Sequence, residues 1–394
     1  MAQTGEDRAL TPVDSGPRLP PPWQGSNFHG WLRLLARNRF RVDARFLPRV
    51  VGITAATLRN TMLRQIQQRI WGERVATTTL ERPPLFVLGH WRSGTTWLHE
   101  VLTLDLRHTY PSTYACMSPN HFLLTEHLMT GSLRFALPTL PSRRPMDAMA
   151  MGWDHPNEDE WALCHLGQPS PYSTSAFPNH PPQHPEYLDL ERVPPPARER
   201  WKACFLGFLK QLTVRDPRRI VLKSPTHTYR IKVLLELFPE AQFVHIVRNP
   251  YEVFSSTIKL LKTLYTNFGL QQPRFLGLEE YVIARFVHLH ERLGDGVGRL
   301  KPGQFHEVRY EDLVGDPVRE TRAIYDHLAL GDFDAVLPRL RRYVAEVHDH
   351  QAGRYRLTPA VRERIDARWG HVIRRYGYAG DERRQDGGGD HADP

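Results

Sequence analysis

The chain has 394 residues, of which 40% are hydrophobic, and this is enough to bury a large core in one α/β domain with appendages. Its 52 basic and 43 acidic residues give a net charge of +9, which fits an anionic ligand. The composition predicts neither a membrane-spanning helix, a secretory signal nor nucleic-acid binding, because no long apolar run and no interleaved basic and aromatic stripe occurs. The three widely spaced cysteines, Cys116, Cys164 and Cys204, predict reduced thiols in a cytoplasmic protein.

The first eighty residues divide into two segments. Residues 1–25 are rich in Pro and Gly and are predicted to be disordered. Residues 26–80 carry apolar residues at helical spacing, from Trp31 to Arg37 and from Val50 to Trp71, with many arginines among them. We expect extra N-terminal helices that pack on the core with their arginines in water. Peripheral contact with a membrane or a partner is the alternative.

A strand, a small-residue loop and a helix are predicted from residue 85 onward. The apolar run Leu85–Leu88 indicates a buried strand, Gly89 ends it, and an amphipathic helix runs from Trp97 to Asp105. The loop between them reads Arg92-Ser93-Gly94-Thr95-Thr96. Backbone N–H groups and the helix dipole then point at one position, which favours a bound anion. An ordinary glycine turn before a helix, with Arg92 in water, is the alternative.

The central part of the chain holds an acidic cluster and a proline-rich segment. Glu158-Asp159-Glu160 places three carboxylates together, and like charges at close range can raise a carboxyl pKa to values useful for a base. Alternatively, these acids stabilise the first turn of a helix that Asn157 caps. Residues 169–196 are rich in proline and form either a loop over the active site on the acceptor side or a surface excursion.

A second strand–helix–strand unit follows. Arg219 to Pro225 contains a strand that ends at Lys223, Thr226–Phe238 has helical spacing, and Ala241 to Pro250 contains a strand that ends at Arg248. Such a unit indicates a parallel sheet, so both cations lie at the carboxyl edge, where open α/β sheets bind ligands. Pro250 suits the first turn of a helix that carries Ser256. Arg248 and Ser256 can therefore bind a second phosphate. Two separate phosphate sites at one edge of the sheet imply a ligand with phosphates at opposite ends.

In this order, the segments resemble the sulfotransferases that use 3′-phosphoadenosine 5′-phosphosulfate (PAPS). The resemblance covers residues 85 to about 315, and Tyr310-Glu311-Asp312-Leu313 matches a further motif of that family. It implies an α/β, P-loop-like three-layer fold in which helices flank a central parallel sheet. It also implies roles for individual residues. The cofactor would be bound by Arg92, Ser93, Gly94, Thr95, Thr96 and Trp97 at its 5′-phosphosulfate, by Arg248 and Ser256 at its 3′-phosphate, and by Tyr310. Lys223 would be a catalytic residue near the transferring sulfuryl group, where it donates to the bridging oxygen.

The reaction that this resemblance implies is in-line transfer of a sulfuryl group to an acceptor hydroxyl or amine, with no metal required. Relatives use Glu or His as the base, so Glu158 or Glu160 is the candidate here, then His155, with His99 and His90 as further ones. A P-loop kinase or nucleotide triphosphatase is one alternative, although the loop lacks the Gly-x-x-x-x-Gly-Lys-Ser/Thr pattern. A binding protein that lacks the base is the other.

The sequence predicts one catalytic domain over residues 81–380 and a disordered tail over 381–394. The acceptor classes that remain open are small molecules, carbohydrates, lipids and protein tyrosines, and the oligomeric state is open as well. The closely spaced His348 and His350 could ligate a metal, but the sequence shows no second cluster of ligands to complete the site. We therefore expect a solvated helix end there.

Overall fold

The structure is a computed structural model that describes residues 21–133, 135, 140, 151–347 and 357–379. The predictions for residues 1–20, for the tail over 381–394 and for His348-Asp349-His350 lie outside these residues. Two N-terminal helices come first, α1 (Phe28–Arg37) and the long α2 (Leu47–Thr77). They agree with the helical spacing of residues 26–80.

Five parallel strands form the central sheet. They are β1 (Leu85–Leu88), β2 (His108–Thr109), β3 (Arg219–Lys223), β4 (Gln242–Val247) and β5 (Phe305–Arg309), in the spatial order β2-β3-β1-β4-β5. Strand β1 lies between β3 and β4, so the predicted strand–helix–strand unit crosses over it. The structure confirms the α/β fold with a central parallel sheet.

Twelve further helices occur in the described part of the chain. Their bounds are α3 (Thr95–Thr103), α4 (Thr113–Met117), α5 (Phe122–Thr130), α6 (Asp159–His165), α7 (Pro195–Arg215), α8 (Ile231–Leu237), α9 (Pro250–Phe268), α10 (Leu278–Val297), α11 (Tyr310–Gly315), α12 (Pro317–Leu328), α13 (Leu337–Val347) and α14 (Pro359–Arg375). Pro250 begins α9, as predicted, and the Asn249 side chain caps it by accepting a hydrogen bond from the Tyr251 amide.

Alternate residues of the strands face two different hydrophobic cores, which makes three layers. Phe86 and Leu88 of β1 face the core that α7 and α8 cover, whereas Leu85 and Val87 face the core that α3 and α12 cover. A third core joins α9, α10 and α14. The strand register places Lys223 beside Val87, so the loop after β1 and the ends of the neighbouring strands meet at one edge.

Two local predictions differ from the structure. The sequence predicts disorder up to residue 25, but Pro22–Gly25 form a 3-10 turn and the Trp23 ring is fully buried. Its indole N–H donates to the Phe268 carbonyl at 2.9 Å, so one large side chain anchors a stretch of disorder-prone composition. The helix predicted over Thr226–Phe238 starts instead as a 3-10 turn over Pro225–Tyr229, and α8 begins at Ile231.

A helix that crosses a lipid bilayer needs about 20 mostly apolar residues. Within the described ranges, no helix combines the length and the apolar composition needed to cross a bilayer.

Substitution of Trp369 tests the packing of the third hydrophobic core. Its ring stacks on Phe286 at 3.8 Å between centroids, and its indole N–H donates to the Ile283 carbonyl at 3.1 Å. We expect Trp369→Ala to lower the free energy of unfolding by about 3–5 kcal/mol, because it leaves a large cavity. Denaturant titration measures this, and Arg368→Ala, next to it on the exposed face, is the control. Equal stability of the two variants would contradict this packing.

Candidate active site

The loop between β1 and α3 folds tightly because two glycines permit it. Gly89 has a φ of +150°, and a Cβ there would lie 2.6 Å from Ser93 Oγ and 2.8 Å from the Ile246 carbonyl oxygen. Gly94 has a φ of +100°, and a Cβ there would lie 2.4 Å from Cδ2 of Tyr310. No other residue fits either place without a shift of backbone or ring. The loop therefore packs directly on β4 and on the Tyr310 ring.

Hydrogen-bond donors converge where this loop enters α3. The amide and the hydroxyl of Ser93 both donate to the His90 carbonyl, at 3.1 and 2.8 Å, and close a turn. The Leu98 amide donates to the Gly94 carbonyl at 3.1 Å, which is a helical hydrogen bond. The amides of residues 95–97 lie on the N-terminal side of Leu98, in the first turn of α3. Backbone amides at a helix start and the positive end of the helix dipole at one point make a site suited to an anion.

A cationic group adjoins this cradle. Arg92, with a φ of +71°, directs its guanidinium away from its own loop, and its Nε donates to Ser256 Oγ at 2.8 Å. Arg248 donates through Nη1 to the Arg92 carbonyl at 3.3 Å, and its guanidinium lies over the Tyr310 ring, 4.3 Å from the centroid. Its Nε also donates to Glu252 at 3.1 Å. The two predicted phosphate positions are therefore parts of one continuous surface.

Each carboxylate of the acidic cluster pairs with a different basic side chain. Residues 158–160 stand at the start of α6, and the basic residues follow one another along the segment from the end of β3 to the start of α8. The pairs are Glu158 with Lys223, Asp159 with His227, and Glu160 with Arg230. Each carboxylate has its own partner, so the three do not share one site. This arrangement fixes the start of α6 on the sheet edge.

Lys223 and Glu158 form a hydrogen-bonded pair that connects the start of α3 with Tyr172. Lys223 Nζ donates to Glu158 Oε1 at 2.8 Å and to Thr96 Oγ1 at 3.4 Å. The Tyr172 hydroxyl donates to the other Glu158 oxygen. Burial, and then the neighbouring Glu158 charge, raise the pKa of Tyr172 well above its usual value, so this hydroxyl stays protonated. The side chain of Lys223 is 3% exposed and that of Glu158 is 16% exposed, so Glu158 is the more accessible partner.

Asp159 and Glu160 are fully enclosed. Glu160 accepts hydrogen bonds from Ser170 Oγ at 2.6 Å and Thr226 Oγ1 at 3.0 Å, besides its contacts with Arg230. Asp159 accepts from Ser224 Oγ at 3.0 Å. Burial raises the pKa of Asp159, but His227 and the hydrogen bonds outweigh this and hold it below its usual value. The prediction that mutual repulsion raises carboxyl pKa values in this cluster is therefore wrong for Asp159.

The candidate histidines lie in three different environments. The His155 imidazole contacts the Asp154 carboxylate at 3.3 Å on the protein surface. Burial, and then the Lys223 charge, lower the pKa of His99 to about 3, and its Nε2 donates to the Val221 carbonyl at 3.1 Å. Burial lowers the pKa of His90 to about 4. Both buried rings are therefore neutral at pH 7.

A largely apolar cavity opens beside these groups, and its empty volume of about 600 Å³ includes space that is open to solvent. Tyr172 belongs to its wall, and the hydroxyl of the same side chain donates to Glu158, so one side chain links the cavity to the Lys223–Glu158 pair. Several helices and the proline-rich segment supply its lining, which consists of His90, Trp91, Trp161, Pro171, Tyr172, Thr174, Ser175, Thr257, Leu261, Leu264, Tyr265, Tyr281, Val282 and Arg285.

Reasoning from the sequence missed Tyr172 and the basic side chains opposite Asp159 and Glu160. The proline-rich segment was recognised as a candidate active-site loop, but its irregular backbone gives no period that would indicate an inward-facing side chain. His227 and Arg230 lie in a stretch predicted as a helix. Their spacing from Lys223 indicated nothing, because the matching carboxylates lie some seventy residues away.

Comparisons with known proteins agree with this arrangement. A family model described as the Sulfotransferase family matches residues 83–334, which is more than half of the chain. The chain is 48% identical over 358 residues to the omega-hydroxy-beta-dihydromenaquinone-9 sulfotransferases Stf3 of Mycobacterium bovis and Mycobacterium tuberculosis, with 91% of each chain covered. It is also 26% identical over 337 residues to the human carbohydrate sulfotransferase 6, with 77% of each chain covered.

Two solved structures share the fold. The crystal structure of sulfotransferase STF1 from Mycobacterium tuberculosis covers 86% of this chain and 91% of its own, with a TM-score of 0.60 at 21% identity. That of STF9 from Mycobacterium avium covers 89% and 96%, with a TM-score of 0.61 at 19% identity. These likenesses confirm the P-loop-like α/β fold. The family match and the 48% identical relatives show more: the chain belongs to the sulfotransferase family, and its reaction is the transfer of a sulfuryl group.

Proposed function

We propose that the chain transfers the sulfuryl group of PAPS to a hydroxyl at the end of an apolar lipid chain. The observation that carries this proposal is the position of the Lys223–Glu158 pair. It lies between an anion cradle on one side and a mostly apolar cavity on the other. A charged donor and a lipid acceptor would meet there.

The donor side fits a nucleotide with two phosphate groups. The glycine loop and the amides at the start of α3 suit the 5′-phosphosulfate. Arg248 and Ser256 suit the 3′-phosphate, since a guanidinium and a hydroxyl can both donate to its oxygens. The Arg92 guanidinium donates to Ser256, and Arg248 donates to the Arg92 backbone carbonyl, so we place the Arg92 guanidinium between the two phosphates rather than on the 5′-phosphate alone.

Lys223 and Glu158 would carry the chemistry. Glu158 accepts the proton of the acceptor hydroxyl as the acceptor oxygen bonds to sulfur. Lys223 donates to the bridging oxygen while the sulfur–oxygen bond to the 5′-phosphate breaks, and it stabilises the negative charge that stays on the leaving nucleotide. The products are the sulfated acceptor and adenosine 3′,5′-bisphosphate. Tyr172 holds the Glu158 carboxylate in position through its hydroxyl.

Glu160 would support the site without reacting. Its carboxylate is enclosed by Arg230, Ser170 and Thr226, which leaves no path to an acceptor hydroxyl. His155 is exposed beside Asp154, and the buried His99 is fixed by its bond to the Val221 carbonyl. Among the residues suggested by the sequence, Glu158 therefore combines access with a hydrogen bond to Lys223.

The acceptor assignment rests on two observations. The relatives at 48% identity are named for an omega-hydroxy derivative of a dihydromenaquinone. The prefix omega places the hydroxyl group at the far end of an apolar chain. The cavity beside Glu158 is lined mainly by aromatic and aliphatic side chains, among them Leu261, Leu264 and Tyr265 of α9. Such a lining suits an apolar chain better than a sugar, whose hydroxyls would need hydrogen-bonding partners.

Arg248→Ala tests the donor site. The variant removes a charge-assisted hydrogen bond to the 3′-phosphate, which is worth about 1.5–3 kcal/mol. We expect the Kd for adenosine 3′,5′-bisphosphate to rise roughly 10- to 150-fold in calorimetric titrations. Affinity for 5′-ADP, which lacks the 3′-phosphate, is the control and should not change. Parallel losses for both nucleotides would contradict the assignment of Arg248.

Glu158→Gln and Glu160→Gln form a matched pair. We expect Glu158→Gln to lower kcat by roughly 10²–10⁴-fold, because the base is lost, while adenosine 3′,5′-bisphosphate still binds. Glu160→Gln removes the counter-ion of a buried guanidinium and should lower stability by about 3–5 kcal/mol. Its kcat per folded molecule should stay within several-fold of the wild type. Sulfation rates and thermal unfolding separate the two effects, and the reverse pattern would refute the choice of Glu158.

The acceptor is tested by sulfate transfer from labelled PAPS. Purified enzyme is offered an omega-hydroxylated isoprenoid quinone in detergent, a sugar with a primary hydroxyl, and a tyrosine peptide. We expect label on the quinone alone. Leu264→Asp should raise the KM for that lipid about tenfold or more, because a charge replaces apolar lining, and should leave donor binding intact. Transfer to the sugar or the peptide instead would refute the lipid assignment.

A further inference from the structure

Helix α2 buries a polar face. The side chains that point into the protein make specific hydrogen bonds: Asn60 Nδ2 donates to the Gln24 carbonyl at 2.7 Å, and Gln67 Oε1 accepts from the Leu123 amide at 2.9 Å. A helix that only covers a core normally buries its apolar stripe. Three of the four fully buried residues of α2 are polar, and the four are Ile53, Thr57, Asn60 and Gln67.

The large apolar side chains of α2 face outward instead. Val51, Met62 and Ile70 are 69%, 57% and 62% exposed. With their neighbours they recur at helical spacing over about 35 Å of helix length. Single exposed apolar residues are ordinary, whereas a continuous stripe indicates a surface that binds something apolar. We call this set the α2 stripe, and it consists of Leu47, Val51, Leu58, Met62, Ile66 and Ile70.

Nearly all the excess positive charge of the chain belongs to the same region. Residues 28–77 contain ten arginines against Asp43 and Glu73, a net charge of +8 in a chain whose total is +9. Arg59 and Arg69 are exposed, and they lie on the same side of the helix as Met62 of the stripe. An apolar stripe flanked by cations complements a bilayer with anionic headgroups. The apolar side chains can contact the acyl chains of the lipids while the arginines contact the phosphates.

The stripe helix is attached to the wall of the acceptor cavity. Arg49 Nη1 donates to the carbonyls of Asn267 and Gly269, at 3.0 and 3.1 Å, where α9 ends. The same helix α9 lines the cavity through Leu264 and Tyr265. Trp161, which also lines the cavity, packs on the hydrophobic cluster that contains Ile53 of α2. A surface bound by α2 would therefore hold the enzyme through the elements that build the acceptor cavity.

We propose that the α2 stripe, with its flanking arginines, binds the surface of an anionic lipid bilayer. The helix lies in the interface with its apolar side among the acyl chains and does not cross the membrane. The partner is the lipid surface itself, and docking depends on both apolar insertion and headgroup charge. This goes beyond the acceptor assignment, since it concerns how the enzyme meets a membrane whichever acceptor it uses.

Co-sedimentation of the full chain with lipid vesicles tests the proposal. Vesicles of phosphatidylglycerol and phosphatidylcholine are compared with vesicles of phosphatidylcholine alone, without donor or acceptor. We expect binding to the anionic vesicles that weakens as salt is raised, because the arginine–headgroup attraction is screened. Since no sulfation is measured, a wrong acceptor assignment would leave this result unchanged.

Matched variants locate the surface. Leu58→Gln/Met62→Gln should lower partitioning onto anionic vesicles roughly tenfold or more, because two inserted side chains become polar. Leu106→Gln/Val314→Gln changes two similarly exposed apolar residues elsewhere and should leave partitioning unaltered. Circular dichroism and thermal unfolding should show all of these variants folded, because the substituted side chains are exposed.

Charge variants measure the second contribution. Arg59→Gln/Arg69→Gln should lower partitioning roughly 30-fold at low salt, at about one kcal/mol for each arginine near the surface. Two results would overturn the proposal. One is an absence of binding to anionic vesicles by the wild type. The other is light scattering that shows a dimer which Leu58→Gln/Met62→Gln dissociates, with no vesicle binding, since a second copy of the chain would then cover the stripe.

Discussion

The geometry of the site depends on three pairs of a carboxylate and a basic side chain, which join the start of α6 to the segment that begins at the end of β3. Glu158, Asp159 and Glu160 each bind a different basic side chain, and these three side chains lie within the eight residues from Lys223 to Arg230. Breaking a buried pair of this kind costs about 3–5 kcal/mol, although a well-packed apolar substitute could be equally stable. The pairs therefore matter most for register. They fix Glu158 beside Lys223 because its two neighbours are already bound.

The parallel sheet supplies the other half of the site. Strand β1 lies between β3 and β4, so the glycine loop, Lys223 and Arg248 emerge side by side at one edge. Gly94 packs on the Tyr310 ring, which in turn lies beneath the Arg248 guanidinium. A donor that binds there would meet amides, hydroxyls and cations on rigid elements, and such preorganisation contributes most where the reaction is governed by charge and position.

The proposed acceptor side is built from less regular parts of the chain. The proline-rich segment contributes Tyr172 to both the cavity and the Glu158 contacts, and α9 connects the cavity wall to α2. The long N-terminal helix is held to the core by polar groups, and this leaves its apolar stripe outside. The chain thus presents an anionic-ligand edge and an apolar, arginine-flanked face in one molecule, which matches a reaction between a charged donor and a lipid.

The sequence by itself determined the parallel α/β fold, the glycine loop, the strand-end positions of Lys223 and Arg248, and the family. These features are local, because consecutive residues determine a strand, a turn and the start of a helix. Only the tertiary structure decided which carboxylate accompanies Lys223, that Arg92 reaches Ser256, and that α2 turns its apolar side outward. Each depends on partners far apart in the chain, and an amphipathic period indicates a stripe without saying which side is buried.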